Sequence, residues 1–127
     1  MYESKSIIQS KHSFEVQQLT HNALKLLDQR RRPYLHAAMQ RCNYHLSETI
    51  VNYQDTFTIN EQIAMYKNFV LRVAELWSLL SQWPKEIYLP GLEEMVEGVK
   101  QLYFDLLQEL TRKEVHLIQI NANCKPN

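Results

Sequence analysis

One apolar stripe at helical spacing constrains the fold of this chain more than any other feature. The stripe consists of residues at steps of three and four along the chain: Ile63, Tyr66, Val70, Val73, Trp77 and Leu80. In an α-helix this spacing keeps one face apolar for about five turns. Since a face of that length must be buried against other helices, the stripe predicts a helix bundle.

Three further apolar stripes of the same kind lie before and after it. Their members, in chain order, are Val16, Leu19, Ala23, Leu24 and Leu27; Leu35, Ala38, Met39, Cys42, Leu46 and Ile50; and Leu92, Met95, Val96, Val99, Leu102, Tyr103, Leu106 and Leu110. Ser13 is a suitable N-cap for the first helix, and Pro33 suits the first turn of the second. Thr58 and Glu61 have the spacing of a capping box at the start of the third. Because the links are short, we expect an all-α, antiparallel up-down-up-down four-helix bundle.

The size and composition of the chain agree with a single bundle. It has 127 residues, 45% of them apolar, with only two glycines and four prolines, which excludes a turn-rich β protein. We place the bundle at residues 13–120, between a flexible N-terminal segment, 1–12, and a frayed tail, 121–127. The sequence shows no run of roughly 18 apolar residues and no apolar core of a signal peptide. A cytoplasmic location is therefore expected.

Charge is unevenly distributed although the chain is neutral overall. Residues 1–54 carry a net charge of +3, and residues 55–127 carry the compensating −3. The basic side chains concentrate around the junction of the first two helices, and they are Lys25, Arg30, Arg31, Arg32 and Arg41. Since arginines at such a corner can pair with phosphates, we predict that these five residues bind RNA or DNA. The alternative is a solvated polar corner that only separates two helices.

Motifs for catalysis are few. Arg31 and His36 stand as Arg-x-x-x-x-His, which resembles the spacing in the small helical ribonucleases of the HEPN class. An arginine can hold a phosphate and a histidine can move protons near neutral pH, so a metal-independent ribonuclease is an alternative function. For metals, the nearest pattern to a di-iron bundle is a single reversed His45-x-x-Glu48, and zinc spacings are missing. We expect no enzymatic activity, no metal and no cofactor.

Aromatic residues are more numerous than one core seam needs. We expect some of them to be exposed, with Trp83, Tyr88 and Tyr103 forming contacts between copies of the chain or with a partner protein. The alternative is that amphipathic tyrosines line the rim of the core. A protein–protein adaptor that uses these three aromatics and binds no nucleic acid is therefore a further alternative function.

The second and third helices resemble those of a known family. Within residues 39–50, Arg41 is followed by the apolar Leu46 and Ile50, and residues 74–80 contain a Glu-Leu pair. These positions are similar to those of the four-helix-bundle proteins encoded in 23S ribosomal-RNA intervening sequences. They are also similar to the related accessory variability determinants of diversity-generating retroelements. Like those determinants, the chain lacks the Glu-Gly that ends the second helix of the intervening-sequence proteins.

The resemblance covers about residues 14–112 and carries functional implications. It implies a homo-oligomer, which is a pentamer in that family, and it implies binding of nucleic acid and of a reverse transcriptase without enzymatic activity. Together with the basic cluster, it predicts a non-enzymatic oligomeric accessory protein that binds nucleic acid.

Overall fold

The computed structural model of the protein describes residues 6–124, which contain four α-helices. Helix α1 spans Lys11–Lys25, α2 spans Pro33–Asn52, α3 spans Ile59–Ser81 and α4 spans Leu92–Cys124, and the described residues contain no strand. The chain is thus an all-α four-helix bundle, as the sequence predicts. None of these helices is long and apolar enough to cross a membrane.

Successive helices are antiparallel, because residues near the start of one helix contact residues in the later part of the next. Near the start of α3, the Gln62 side chain accepts a hydrogen bond from Lys113 Nζ at 2.8 Å. Near its end, the ring of Trp77 lies against that of Tyr103, which comes earlier in α4. The same holds for the other neighbours. Gln9, just before α1, contacts Ile50 near the end of α2, while Gln17 within α1 contacts Asn43 earlier in α2. Between α2 and α3, Arg41 contacts Glu75, and Tyr53 just after α2 contacts Tyr66 earlier in α3. The α1–α2 and α3–α4 connections therefore meet at one end of the bundle, and the α2–α3 connection lies at the other.

The predicted apolar stripes form the core. In α3 every member of the stripe is buried except Trp77, which is half-buried. Fully buried side chains from all four helices and from the segment before α1 include Ile8, Ala23, Met39, Cys42, Tyr66, Val73, Val99 and Leu106. Burial of this apolar surface holds the helices together, at roughly 25 cal/mol for each Å² removed from water.

Local signals at the helix starts agree with the sequence in α2 and α3. The backbone N–H of Glu61 donates to Thr58 Oγ1 at 3.2 Å, and the backbone N–H of Thr58 donates to Glu61 Oε1 at 3.1 Å. This is the predicted capping box. Pro33 occupies the first turn of α2, where its missing N–H is not needed.

The start of α1 differs from the prediction. Ser10, rather than Ser13, is the N-cap, and its hydroxyl oxygen accepts from the backbone N–H of Ser13. The preceding residues Ile7–Gln9 form a short 3₁₀ helix in which Ile8 is fully buried. Residues 6–12, predicted to be flexible, therefore pack on the bundle, because burying Ile8 removes a large apolar side chain from water. Residues 1–5 of that predicted segment lie outside the described residues.

Two further details of α1 and α4 depart from the sequence reading. Leu19 is exposed and Thr20 takes the core position instead, because its hydroxyl is satisfied by donating to the Val16 carbonyl at 2.7 Å. Helix α4 continues to Cys124, so the first part of the predicted frayed tail is helical. Residues 125–127 of that tail lie outside the described residues.

Candidate functional site

An open cleft lies at the end of the bundle where the α1–α2 and α3–α4 connections meet. Its volume is about 670 Å³. The side chains that line it come from both connections, and they are Leu26, Asp28, Arg31, Arg32, Glu86, Ile87 and Tyr88. The fold thus brings part of the predicted basic cluster next to Tyr88, which the sequence analysis assigned to a separate surface.

The α1–α2 connection is a tight turn organised by Asp28. Its Oδ1 accepts a hydrogen bond from the backbone N–H of Arg30 at 2.9 Å, and its carbonyl accepts from the N–H groups of Arg31 and Arg32. Leu27 is buried and anchors this turn to the core. Since the backbone donors of the three arginines all point to Asp28, their side chains project from a fixed turn.

The α3–α4 connection is held by Trp83. Its indole N–H donates to the carbonyl of Ile87 at 3.1 Å, and the N–H of Ile87 donates to the Pro84 carbonyl at 3.1 Å. Trp83 is only 7% exposed, so the expectation that it is a surface aromatic is wrong. Its ring is buried because the connection folds back over it. Tyr88 follows this turn and is 81% exposed, as predicted.

Ion pairs reduce the positive charge that the cluster presents. Arg32 is paired with Glu86 of the other connection, and Arg31 Nε lies 3.8 Å from Asp28 Oδ2 on an exposed surface. Lys25 and Arg30 are exposed and have no acidic partner in the described part of the chain. Lys25, Arg30 and Arg31 are therefore the cations most available to an anion.

Arg41 lies away from the cleft, in the α2–α3 interface. Its Nη2 donates to Glu75 Oε2 at 2.6 Å, and Arg72 donates to the other carboxylate oxygen at 3.3 Å. The hydrogen bond from Arg41 is the main reason that the pKa of Glu75 lies below its usual value. The Cys42 thiol also donates to Glu75, at 3.3 Å. Burial, followed by this hydrogen bond, raises the pKa of that thiol to about 12, so the thiol stays protonated and unreactive at neutral pH.

The other predicted site residues are not part of the cleft. His36 lies in the first turn of α2, and its backbone N–H donates to the Arg32 carbonyl, but it does not line the cleft with Arg31. Tyr103 is half-buried, with its ring centroid 5.5 Å from that of Trp77. Across residues 6–124, no group of three or more His, Cys, Asp or Glu side chains is placed to hold a metal ion.

Sequence reasoning missed Leu26, Ile87 and Glu86 as parts of the same site. Their involvement depends on two connections that are far apart in the chain. The predicted up-down topology contained the signal, because it places the first and third connections at one end. Because Arg32 and Glu86 belong to these two connections, the topology alone predicts that they lie at the same end of the bundle.

Comparisons of the chain with models of protein families, with curated proteins and with solved structures find no match. The resemblance to intervening-sequence proteins and accessory determinants therefore stays a prediction from the sequence.

Proposed function

We propose that this protein is a non-enzymatic, oligomeric accessory protein that binds RNA or DNA through the end of the bundle that carries the cleft. The observation that supports binding most directly is the set of exposed cations at the α1–α2 corner. Lys25, Arg30 and Arg31 extend into solvent beside a cleft that also carries an exposed aromatic ring. Cations of this kind neutralise phosphates and release counterions, which provides most of the affinity of sequence-independent nucleic-acid binding.

The ion pairs indicate how much each predicted phosphate contact contributes to binding. Arg30 and Lys25 are expected to contribute most, followed by Arg31, whose contact with Asp28 is long and exposed. Arg32 contributes less while Glu86 holds it. Arg41 contributes least, because its short hydrogen bond to Glu75 already uses its charge within the α2–α3 interface.

A pair of matched double variants tests this assignment. Arg30→Gln with Arg31→Gln removes two charges at the corner, and Lys11→Gln with Arg112→Gln removes two exposed charges near the opposite end. Each phosphate contact to a single strand contributes about 0.7 to the slope of log affinity against log salt. The corner variant should therefore lower the slope by about 1.4 and weaken binding roughly 25-fold at about 0.1 M salt. The control variant should change both quantities much less.

Fluorescence anisotropy with a labelled oligonucleotide measures both quantities. Equal losses in the two double variants would place the contact elsewhere. No binding by the wild-type protein, even at low salt, would refute the proposal and favour the protein–protein adaptor.

Self-association is the second part of the proposal. Three large apolar side chains, Phe104, Val115 and Ile118, are exposed on α4 at spacings that place them on one outer face. A group of exposed apolar side chains on one face is typical of a protein–protein contact surface. Light scattering with and without a short RNA tests this part: a single-chain mass in both conditions would refute it, and a pentamer is expected from the resemblance.

The proposed partnership with a reverse transcriptase depends on the resemblance alone. Mixing the purified protein with a retroelement reverse transcriptase and separating the mixture by size tests it. Separate elution of the two proteins would count against this partner and leave the nucleic-acid proposal intact.

A further inference from the structure

Tyr88 is unusual among the residues of the cleft because an aromatic ring this exposed is not needed for folding. It is 81% exposed, whereas the neighbouring Trp83 is buried beneath the same connection. The cleft also exposes Leu26, while Ile87 is half-buried. The site therefore presents an aromatic ring and two aliphatic side chains beside two guanidinium groups. Arg32 is paired with Glu86, while the contact of Arg31 with Asp28 is long and exposed, so Arg31 is the guanidinium more available to a ligand.

These side chains match the two parts of a nucleotide. A base is flat and apolar on its faces, and it stacks on exposed aromatic rings whatever its identity. A phosphate is bound by arginine through charge-assisted hydrogen bonds. The cleft volume of about 670 Å³ falls within the roughly 300–1,000 Å³ that small-ligand sites occupy in proteins.

We propose that the cleft binds one unpaired nucleotide of a single-stranded nucleic acid, with its base stacked on Tyr88 and its phosphate held by Arg31. This inference rests on the proposed function and adds a preference for single strands to it. In a duplex the base faces are covered by neighbouring base pairs, so only the phosphates remain available to the protein. Arg30 and Lys25 continue the path of positive charge outside the cleft and contact the neighbouring phosphates.

An oligonucleotide without bases separates stacking from charge. The two probes are a labelled oligothymidylate of about 12 nucleotides, within the range of site sizes of single-strand binders, and an abasic strand of the same length and charge. Replacing Tyr88 with alanine should weaken binding of oligothymidylate about 5- to 150-fold. The same variant should bind the abasic strand as well as the wild-type protein does. Tyr88→Phe should keep most of the affinity, since it keeps the ring.

Tyr34 provides a matched control. It is 90% exposed, lies at the start of α2 and does not line the cleft. Tyr34→Ala should leave the affinity for oligothymidylate unchanged. Both tyrosines are exposed, so neither substitution should lower the melting temperature, and circular dichroism checks that the variants are folded.

The outcomes distinguish this inference from the proposed function. If the wild-type protein binds both probes equally, or if Tyr88→Ala binds oligothymidylate as the wild type does, stacking in the cleft is refuted while binding by the basic corner stands. An equal loss in Tyr34→Ala also refutes the assignment to the cleft. If the wild-type protein binds neither probe, both proposals fail.

Discussion

Replacing Glu86 with glutamine is expected to strengthen nucleic-acid binding. Glu86 is paired with Arg32 across the cleft, and the two side chains are 63% and 39% exposed. A phosphate that enters the cleft competes with this carboxylate for the guanidinium group. Glutamine keeps the shape of the side chain but removes its charge, so Arg32 becomes available to the phosphate.

The expected size of the effect follows from counterion release. One additional phosphate contact on a single strand changes the slope of log affinity against log salt by about 0.7. At about 0.1 M salt this corresponds to an affinity roughly fivefold higher than that of the wild-type protein. The loss of the ion pair should lower the free energy of unfolding by less than about 1 kcal/mol, because both side chains are partly exposed to water.

Anisotropy titrations over a range of salt concentrations compare Glu86→Gln with Glu15→Gln. Glu15 is exposed, lies in the second turn of α1 near the opposite end of the bundle, and its Oε1 is 3.9 Å from Lys11 Nζ. The control therefore changes the net charge equally without altering the cleft. Equal gains in both variants would mean that overall charge, not Arg32, limits binding. Weaker binding by Glu86→Gln would mean that the carboxylate positions Arg32 for its ligand, which contradicts the competition argument.

Three further predictions concern stability and reactivity. Gly98→Ala should raise the free energy of unfolding by about 0.5–1 kcal/mol, since the new methyl group meets only His12 Nε2 at 3.7 Å; a lower thermal midpoint would contradict this. Iodoacetamide should modify the exposed Cys124 in the folded protein but Cys42 only after unfolding, because the Cys42 thiol is buried and its pKa is raised; mass spectrometry of the peptides measures this. The pKa of Glu75 is lowered from its ordinary value of 4.5 in the folded state. Its ionised carboxylate therefore stabilises the fold above pH 4.5, and this stabilisation is lost as the pH falls through the lowered pKa. Urea unfolding of Glu75→Gln should show a smaller loss of stability in acid than that of the wild-type protein.

The helices of the bundle can be predicted from the sequence because the patterns that specify them lie within short stretches of the chain. A period of three and four residues in α3 determines which face is buried, and the Thr58–Glu61 spacing determines where that helix begins. The predicted core of α1 is wrong where a polar side chain forms a hydrogen bond within its own helix. Thr20 reads as a surface residue, but its hydroxyl donates to a carbonyl of the same helix and allows the side chain to enter the core.

The burial of Trp83 could not be predicted in the same way. It lies in a connection, where no helical period indicates a buried face, and its position depends on the hydrogen bond from its indole to the Ile87 carbonyl. Tyr88, which follows Ile87 in the chain, is exposed, whereas the next residue, Leu89, packs against the core. Composition alone indicates that aromatics are in excess, but only the turn determines which of them reaches solvent.

The basic cluster shows a further limit of sequence reasoning. Five cations near one helix junction look equivalent in the sequence, yet Arg41 forms an ion pair with Glu75, 34 residues away, and Arg32 forms one with Glu86. Both partners belong to helices or connections that only the tertiary fold brings near. The net charge of a segment therefore overestimates the charge available to a ligand.

Overall neutrality of the chain does not argue against an anion site at this end of the bundle. Interactions between exposed charges decay within about 10 Å at 0.1 M salt, so a phosphate in the cleft responds to the charges around it and hardly to acidic side chains at the far end. At the cleft, Asp28 and Glu86 offset two arginines, and Lys25 and Arg30 remain without acidic partners among residues 6–124. Glu93 and Glu94 in the first turn of α4 add negative charge at the same end of the bundle, and Lys85 adds one positive charge there, so the net positive excess is small. An excess of this size favours weak, salt-sensitive binding by charge alone. Substantial affinity then requires either stacking on the exposed ring within the cleft or several copies of the corner in one oligomer, and the abasic probe and the native mass separate these two sources.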